Sequence, residues 1–232
     1  MAIEQGDVLW QPGPAQIQAS RLAAFTAWLQ RHHGLDFADY GALWRWSVTE
    51  LDAFWAAVWA FFDIQADGRP VPVLGRRTMP GAEWFPHTRL NYAEHVFRNA
   101  SAQRPALLAR GEGQPLREMS WAELERHTGA LAATLREMGV GPGDRVVGYL
   151  PNVPQTVIAF LACASIGAVW SSCSPEMGVS VVLDRFRQIA PKVLIVVDAY
   201  RYNGRHFDRR AVVSELIQAL PTIEHVVHVA GP

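Results

Sequence analysis

Arg145-Val-Val-Gly-Tyr-Leu-Pro-Asn-Val-Pro-Gln-Thr-Val-Ile-Ala-Phe-Leu-Ala-Cys-Ala-Ser-Ile-Gly-Ala-Val-Trp-Ser-Ser-Cys173 is the stretch that decides how this chain folds. Its two ends, Arg145 to Leu150 and Ala168 to Cys173, are short and largely apolar on consecutive residues, the pattern of strands buried on both faces. Between them, Pro154 to Ile166 reads as a helix, with proline at its first position, where a missing N–H costs nothing. A strand, a helix and a strand in that order make a parallel unit with a helical crossover. The same pattern continues as a helix over Val179 to Ile189, a strand over Lys192 to Val197, a helix over roughly Asp208 to Leu220 and a strand over His225 to Val229. The expected fold is therefore α/β, a doubly wound, mostly parallel sheet with helices on both faces.

Working upstream, Ala106 to Arg110 and Leu116 to Met119 are short strand candidates. Ser120-Trp-Ala-Glu123 is a capping box opening a helix that runs to Met138, and Gly139, Gly141, Pro142 and Gly143 stop it. Up to about Arg98 the chain is helical and rich in tryptophan. Leu22, Phe25 and Leu29 share a helical face, and Gly34 is a stop signal. Ser47-Val-Thr-Glu50 is a second capping box, predicting a helix that starts there with the stripe Leu51, Phe54, Trp55, Val58, Trp59 and Phe62. Asp63 to Arg89 carries four prolines and three glycines without a sustained period, so it is a connector, and Asn91 to Arg98 is one more short helix. These patterns divide the chain into a helical region, residues 1–100, and an α/β region, residues 101–232. The last strand ends just before Pro232, so the sheet is expected to be incomplete within this sequence.

Composition narrows the function classes. Half of the 232 residues are apolar, enough for a sizeable core, and 21 basic against 22 acidic residues leave a net charge of −1 with no long run of either sign. Neither nucleic acid nor an anionic membrane is an expected partner. Cys163 and Cys173 sit in an apolar stretch, as buried thiols in a reducing compartment do, and Met1 to Trp10 lacks the pattern of a signal peptide. A cytoplasmic location is expected. The longest apolar stretch, Val157 to Trp170, is shorter than the roughly 20 residues of a membrane helix.

The familiar catalytic loops are missing: there is no G-x-x-x-x-G-K-[ST], G-x-G-x-x-G, H-E-x-x-H, C-x-x-C or G-x-S-x-G segment. Lys192 is the one lysine, and it reads as a solvated charge beside a strand. Asp184, Arg185, Arg187 and Asp198 read as surface charges, no histidine pair has metal-ligand spacing with a third ligand, and Trp44, Trp46, Trp55 and Trp59 read as core. Two loops hold more. Cys173-Ser-Pro-Glu-Met-Gly178 and Asp198-Ala-Tyr-Arg-Tyr-Asn-Gly-Arg205 each follow the carboxyl end of a strand, where open α/β sheets place ligands. The second joins a tight-turn pair, Asn203-Gly204, to Arg201 and Arg205, and arginine suits phosphate. Both loops also read as ordinary strand-to-helix turns.

Leu43-Trp-Arg-Trp-Ser-Val48, Met79-Pro-Gly-Ala-Glu-Trp-Phe85, Leu90-Asn-Tyr-Ala-Glu94, Gly143-Asp-Arg-Val146, Leu150-Pro-Asn152, Ser165-Ile-Gly-Ala-Val-Trp-Ser171 and Ser174-Pro175, in this order, resemble the acetoacetyl-CoA synthetases of the adenylate-forming superfamily. The resemblance covers nearly the whole chain. It implies the N-terminal helical region and the first, truncated part of an AMP-binding domain, with acetoacetate, ATP and CoA as substrates and Mg²⁺ as the metal of the complete enzyme. It also implies that the phosphate-gripping loop, the acyl pocket and the lid lysine lie downstream, so no catalytic or metal residue is assigned here. This chain by itself is expected to be inactive and to hold none of these ligands tightly. The CoA contacts of acetyl-CoA synthetase relatives, an R-x-G-R segment, fall on Tyr202, Asn203, Gly204 and Arg205; Gly204 and Arg205 match the pattern, and Tyr202 stands where the first arginine would be, beside Arg201. A second CoA loop falls on Ser174, Pro175 and Glu176, with no residue type in common. A ligase for acetate or propionate, and a non-catalytic module that binds a nucleotide or a partner chain, remain the alternatives.

Overall fold

The computed structural model describes residues 3–230, and Met1, Ala2, Gly231 and Pro232 lie outside the described residues. Two compact units are formed, Met1–Leu90 and Asn91–Pro232.

In the first unit, α1 (Pro14–Gln18), α2 (Arg21–His33), α3 (Tyr40–Thr49) and α4 (Leu51–Phe61) are followed by a connector in which β1 (Asp67–Gly68) pairs antiparallel with β2 (Thr88–Arg89). The core is Phe25, Leu29, Leu43 and Ala57, with Trp46, Phe54, Val58 and Phe61 packed against it. Ser20 caps α2, and Gly34, at φ 66°, ends it at the predicted stop. The start predicted at Ser47 is corrected. Asp39 caps α3 from upstream by accepting from the Ala42 amide at 2.7 Å, so Ser47 falls in the last turn and its hydroxyl donates to the Trp44 carbonyl of the same helix. Glu50 then serves both as the C-cap of α3 and as the N-cap of α4. The stripe of α4 is also split: Phe54 and Val58 face the core, while Trp55 meets Trp84 and Trp59 meets Phe85 of the connector. Trp44 is 54% exposed, so the tryptophan cluster is only partly core.

The second unit opens with α5 (Tyr92–Phe97), capped by the Asn91 side chain, and the antiparallel pair β3 (Leu107–Ala109) and β4 (Arg117–Met119), which stands apart from the main sheet. The Ser120 capping box forms as predicted, Ser120 accepting from the Glu123 amide while the Glu123 carboxylate accepts from the Ser120 amide, and α6 (Trp121–Glu137) follows. Then come β5 (Arg145–Tyr149), α7 (Pro154–Ser165), β6 (Val169–Cys173), α8 (Val179–Arg187), β7 (Val193–Val197), the hairpin β8 (Ala199–Tyr202) and β9 (Arg205–Asp208), α9 (Arg210–Ala219) and β10 (His225–Val229). Among the described residues, β10, β7, β5 and β6 form one parallel sheet in that order.

Alternate residues of the strands feed separate cores. Val146, Val193, Ile195 and Val197 pack with Ala132 and Leu135 of α6 and Ala159, Ala162 and Cys163 of α7. Val147, Tyr149, Leu194 and Val196 pack with Val182 and Phe186 of α8 and Val213 and Leu216 of α9. Period-two alternation thus accounts for a sheet covered on both faces. Gly148 is required by its neighbour: a Cβ there would lie 2.7 Å from Cη2 of Trp170 on β6. Lys192 is not the solvated charge its sequence suggests. Its side chain is 21% exposed, its Nζ donates to the Gly139 carbonyl at 2.8 Å, and it lies 3.8 Å from both Asp144 and Glu224. Arg145 likewise donates to the Ile189 and Ala190 carbonyls that follow α8. Unpaired carbonyls at helix ends attract cations, which is why these two side chains fold inward.

Candidate functional site

The strand order fixes where ligands belong. From β5 the chain crosses to one side to make β6, then returns to the other side to make β7 and β10, so the crossover direction reverses between β5 and β7. In open α/β sheets the ligand crevice lies beyond the carboxyl ends of the strands at such a reversal. Among the segments that emerge at that end are the loop Ser174–Gly178 after β6, Asp198 after β7 and the β8–β9 hairpin.

The hairpin corrects the sequence reading of a strand-to-helix turn. Tyr200 pairs with Phe207 and Tyr202 with Arg205, leaving Asn203 and Gly204 as a two-residue turn with φ of 48° and 72°. Two successive positive φ values match the twist of a hairpin, and Asn-Gly is the pair that tolerates them. The pleat then sorts the side chains. Tyr200, Tyr202, Arg205 and Phe207 share one face and Arg201 and His206 the other. Arg201 therefore cannot stand in for the first arginine of the R-x-G-R pattern on the face that Arg205 presents. Its guanidinium approaches another loop, where a Cβ on Gly113 would lie 3.5 Å from Arg201 Nη1.

A polar post links the hairpin base to the loop after β6. Tyr149 closes β5, fully buried, with its hydroxyl 2.7 Å from the Pro175 carbonyl and 3.0 Å from that of Met177. Burial pushes the Tyr149 phenol up, which keeps its proton available for donation. The same Pro175 carbonyl accepts from Arg209 Nε at 2.8 Å, while Arg209 Nη2 donates to the Tyr200 hydroxyl at 2.9 Å. That guanidinium lies 5.1 Å from the Tyr200 ring centre and 5.7 Å from the Phe207 ring centre, over a stacked aromatic pair. Nearby, Asp198 hydrogen-bonds His228 Nδ1 at 2.9 Å across the ends of β7 and β10.

The predicted contact residues now have distinct places. Pro175 is buried with its carbonyl engaged by two donors, Ser174 is half-buried, and Glu176 is exposed, bringing a negative charge that does not favour phosphate. At the hairpin tip Tyr202, Asn203, Gly204 and Arg205 are all exposed. The Asn203 and Gly204 amides already donate to the carboxylate of Glu112, at 2.7 and 2.8 Å, so the side chains are what the tip offers a ligand. Sequence reading missed Tyr149, Arg209 and Glu112. An Asn-Gly pair flanked by Tyr200 and Tyr202 on one side and Arg205 and Phe207 on the other was the available hairpin signal.

Elsewhere, the first unit has an apolar cavity of about 350 Å³ lined by Leu22, Phe25, Trp44, Phe54, Phe61 and Phe62, among others. Among the described residues no group of three or more His, Cys, Asp or Glu side chains is placed to hold a metal ion, and no helix is long and apolar enough to cross a membrane.

The doubly wound sheet is an architecture that places ligands beyond the carboxyl ends of its strands, and family comparison gives it a class. The model for AMP-binding enzymes matches residues 94–231, and the one for the acetyl-coenzyme A synthetase N-terminus matches residues 40–96. The chain belongs to the AMP-binding enzyme family. Among individual proteins it is 40% identical to the acetoacetyl-coenzyme A synthetase of Rhizobium meliloti, over 96% of this chain and 34% of that protein. It is also 40% identical to the acetoacetyl-CoA synthetase of Danio rerio, over 97% of this chain and 34% of the relative. The solved acetoacetyl-CoA synthetase from Streptomyces lividans superposes with a TM-score of 0.90 at 51% identity, covering 95% of this chain and 35% of that one. The chain thus spans about a third of the length of the relatives it matches.

Proposed function

We propose that this chain is the N-terminal part of an acetoacetate:CoA ligase, with residues 1–100 its helical region and residues 101–232 the first part of its AMP-binding domain. The observation that carries the reading is likeness to acetoacetyl-CoA synthetases over 95–97% of the chain, up to 51% identity with a shared fold. In the complete reaction an acetoacetate carboxylate oxygen attacks the α-phosphorus of ATP and pyrophosphate leaves. The CoA thiolate then attacks the acyl carbon of acetoacetyl-AMP, forming the thioester and releasing AMP. Mg²⁺, where it serves such a ligase, neutralises phosphate charge; the described residues offer no cluster to hold it, and its ligands are not assigned to this chain.

The contribution assigned here is to the second step. Arg205, exposed on the same hairpin face as Tyr202, presents a guanidinium to a CoA phosphate, with Asn203 and Gly204 forming the turn that aims it. Ser174, Pro175 and Glu176 act as the neighbouring wall. Pro175 is the fixed point, because Tyr149 and Arg209 both hold its carbonyl.

The test is steady-state kinetics on the complete gene product that carries this chain. Arg205→Ala is expected to raise the apparent KM for CoA about tenfold, the loss of one charge-assisted contact, while acetoacetate-dependent exchange of pyrophosphate into ATP stays within about twofold of the parent, the adenylation step making no use of that contact. An unchanged KM for CoA removes the hairpin from the CoA site. Faster turnover of acetate or propionate than of acetoacetate in the same assay would replace the acyl assignment.

A further inference from the structure

The β3–β4 loop makes a contact that neither the fold nor the reaction scheme requires. Residues 111–114 form a β-turn closed by the Gln114 amide donating to the Gly111 carbonyl at 3.1 Å, with Gly113 at φ 69°. This turn projects Glu112 to the tip of a hairpin about ninety residues later in the chain, where both oxygens of its carboxylate are used. Oε1 accepts from the Asn203 amide at 2.7 Å and Oε2 from the Gly204 amide at 2.8 Å. Two adjacent amides converging on one carboxylate are a bidentate arrangement that fixes orientation as well as distance. Arg201 Nη1 also approaches this turn, 3.5 Å from where a Cβ on Gly113 would lie. A two-stranded hairpin on its own is only marginally ordered in water. This one is held at its base by Arg209 and at its tip by Glu112.

We propose that Glu112 is a positioning residue for the thioester-forming step: its carboxylate clamps the Asn203–Gly204 turn and so fixes where Arg205 meets CoA. This rests on the reading of the hairpin as a CoA contact. The amides of Gly204 and Asn203, with Arg201 nearby, hold the Glu112 carboxyl below the usual carboxylate range, so the clamp is charged at neutral pH. An alternative arrangement, in which the carboxylate occupies a phosphate's place and must leave before CoA binds, predicts the opposite sign of effect on CoA affinity.

The experiment uses the complete gene product with Glu112→Ala and Glu112→Gln, read in two ways. Hydrogen exchange of the peptide spanning 200–208 reports the clamp without reference to any ligand. It should speed up in Glu112→Ala by about tenfold, and less in Glu112→Gln, whose amide oxygen keeps one acceptor. Kinetics report the consequence: in Glu112→Ala the KM for CoA should rise about tenfold while pyrophosphate exchange into ATP holds, with Glu112→Gln intermediate. Should the alanine variant fail to fold, the glutamine variant carries both readouts. Unchanged exchange over 200–208 overturns the clamp. Faster exchange with an unchanged or lowered KM for CoA, while Arg205→Ala still raises it, overturns the positioning role. Faster exchange with Arg205→Ala also silent leaves the clamp standing and removes the CoA assignment instead.

Discussion

Single residues in this chain take roles that their neighbours in space, rather than in sequence, assign. Lys192 turns inward because Gly139 offers a helix-terminal carbonyl, and Arg201 and Arg205, close in sequence, face opposite ways because a strand alternates. Cys163 shows how completely burial controls chemistry. It is fully buried, and loss of hydration around its thiolate pushes the thiol from 9.0 up to about 12. Ionisation therefore favours the unfolded chain: the stability tied to this thiol is intact below pH 9 and is lost as pH climbs from there towards 12. Accordingly, iodoacetamide at pH 8 should leave Cys163 unmodified in the folded protein and modify it in denaturant, as peptide mass analysis will show; alkylation of the folded form at the denatured rate would contradict the burial. That thiol was legible in the sequence as a buried, unpaired cysteine. Glu112 was not, since nothing in Gly111-Glu-Gly113 announces a partner at Asn203.

At the scale of elements, two sequences of the same form met different fates. Ser120-Trp-Ala-Glu123 and Ser47-Val-Thr-Glu50 both spell a capping box, yet only the first caps a helix. What separates them is context: β4 delivers an extended chain to Ser120, at φ −70° and ψ 161°, whereas Asp39 has already started a helix that runs through Ser47. Replacing each serine by alanine is the direct comparison. Ser120→Ala should destabilise the protein by about 1 kcal/mol in denaturant unfolding, and Ser47→Ala by less than about 0.5 kcal/mol, because a serine bonded to its own helix contributes little. Equal losses would mean that Ser47 has a capping role after all. The inner strands β5 and β7 were legible to within a residue or two because both faces of each are buried and the apolar run is nearly continuous, whereas β6 and β10, at the edges of the four-stranded sheet, are only partly buried. The β8–β9 hairpin was read as a loop because its strands are four residues each, largely polar and outside the main sheet.

For the whole molecule, the chain folds as two units while covering about a third of each relative's length. If the proposed function holds, this chain, about a third of a ligase's length, supplies the CoA-facing hairpin, and its one lysine is tied to the Gly139 carbonyl. Incubated by itself with acetoacetate, ATP and CoA, it should release no AMP above the background without acetoacetate; acetoacetate-dependent AMP release would refute that division of labour. The sequence by itself determined the layered α/β architecture and the succession along the chain of main-sheet strands and crossover helices, while the side-by-side order β10-β7-β5-β6 came from the tertiary structure. Hydrophobic periodicity, proline and glycine act over a few residues and leave their mark in the local pattern. Only tertiary structure decided which carbonyl holds Lys192 and which carboxylate closes on the Asn203–Gly204 turn. Those contacts join residues 53 to 92 positions apart, and their energies depend on a geometry that exists only once the chain has closed around its cores.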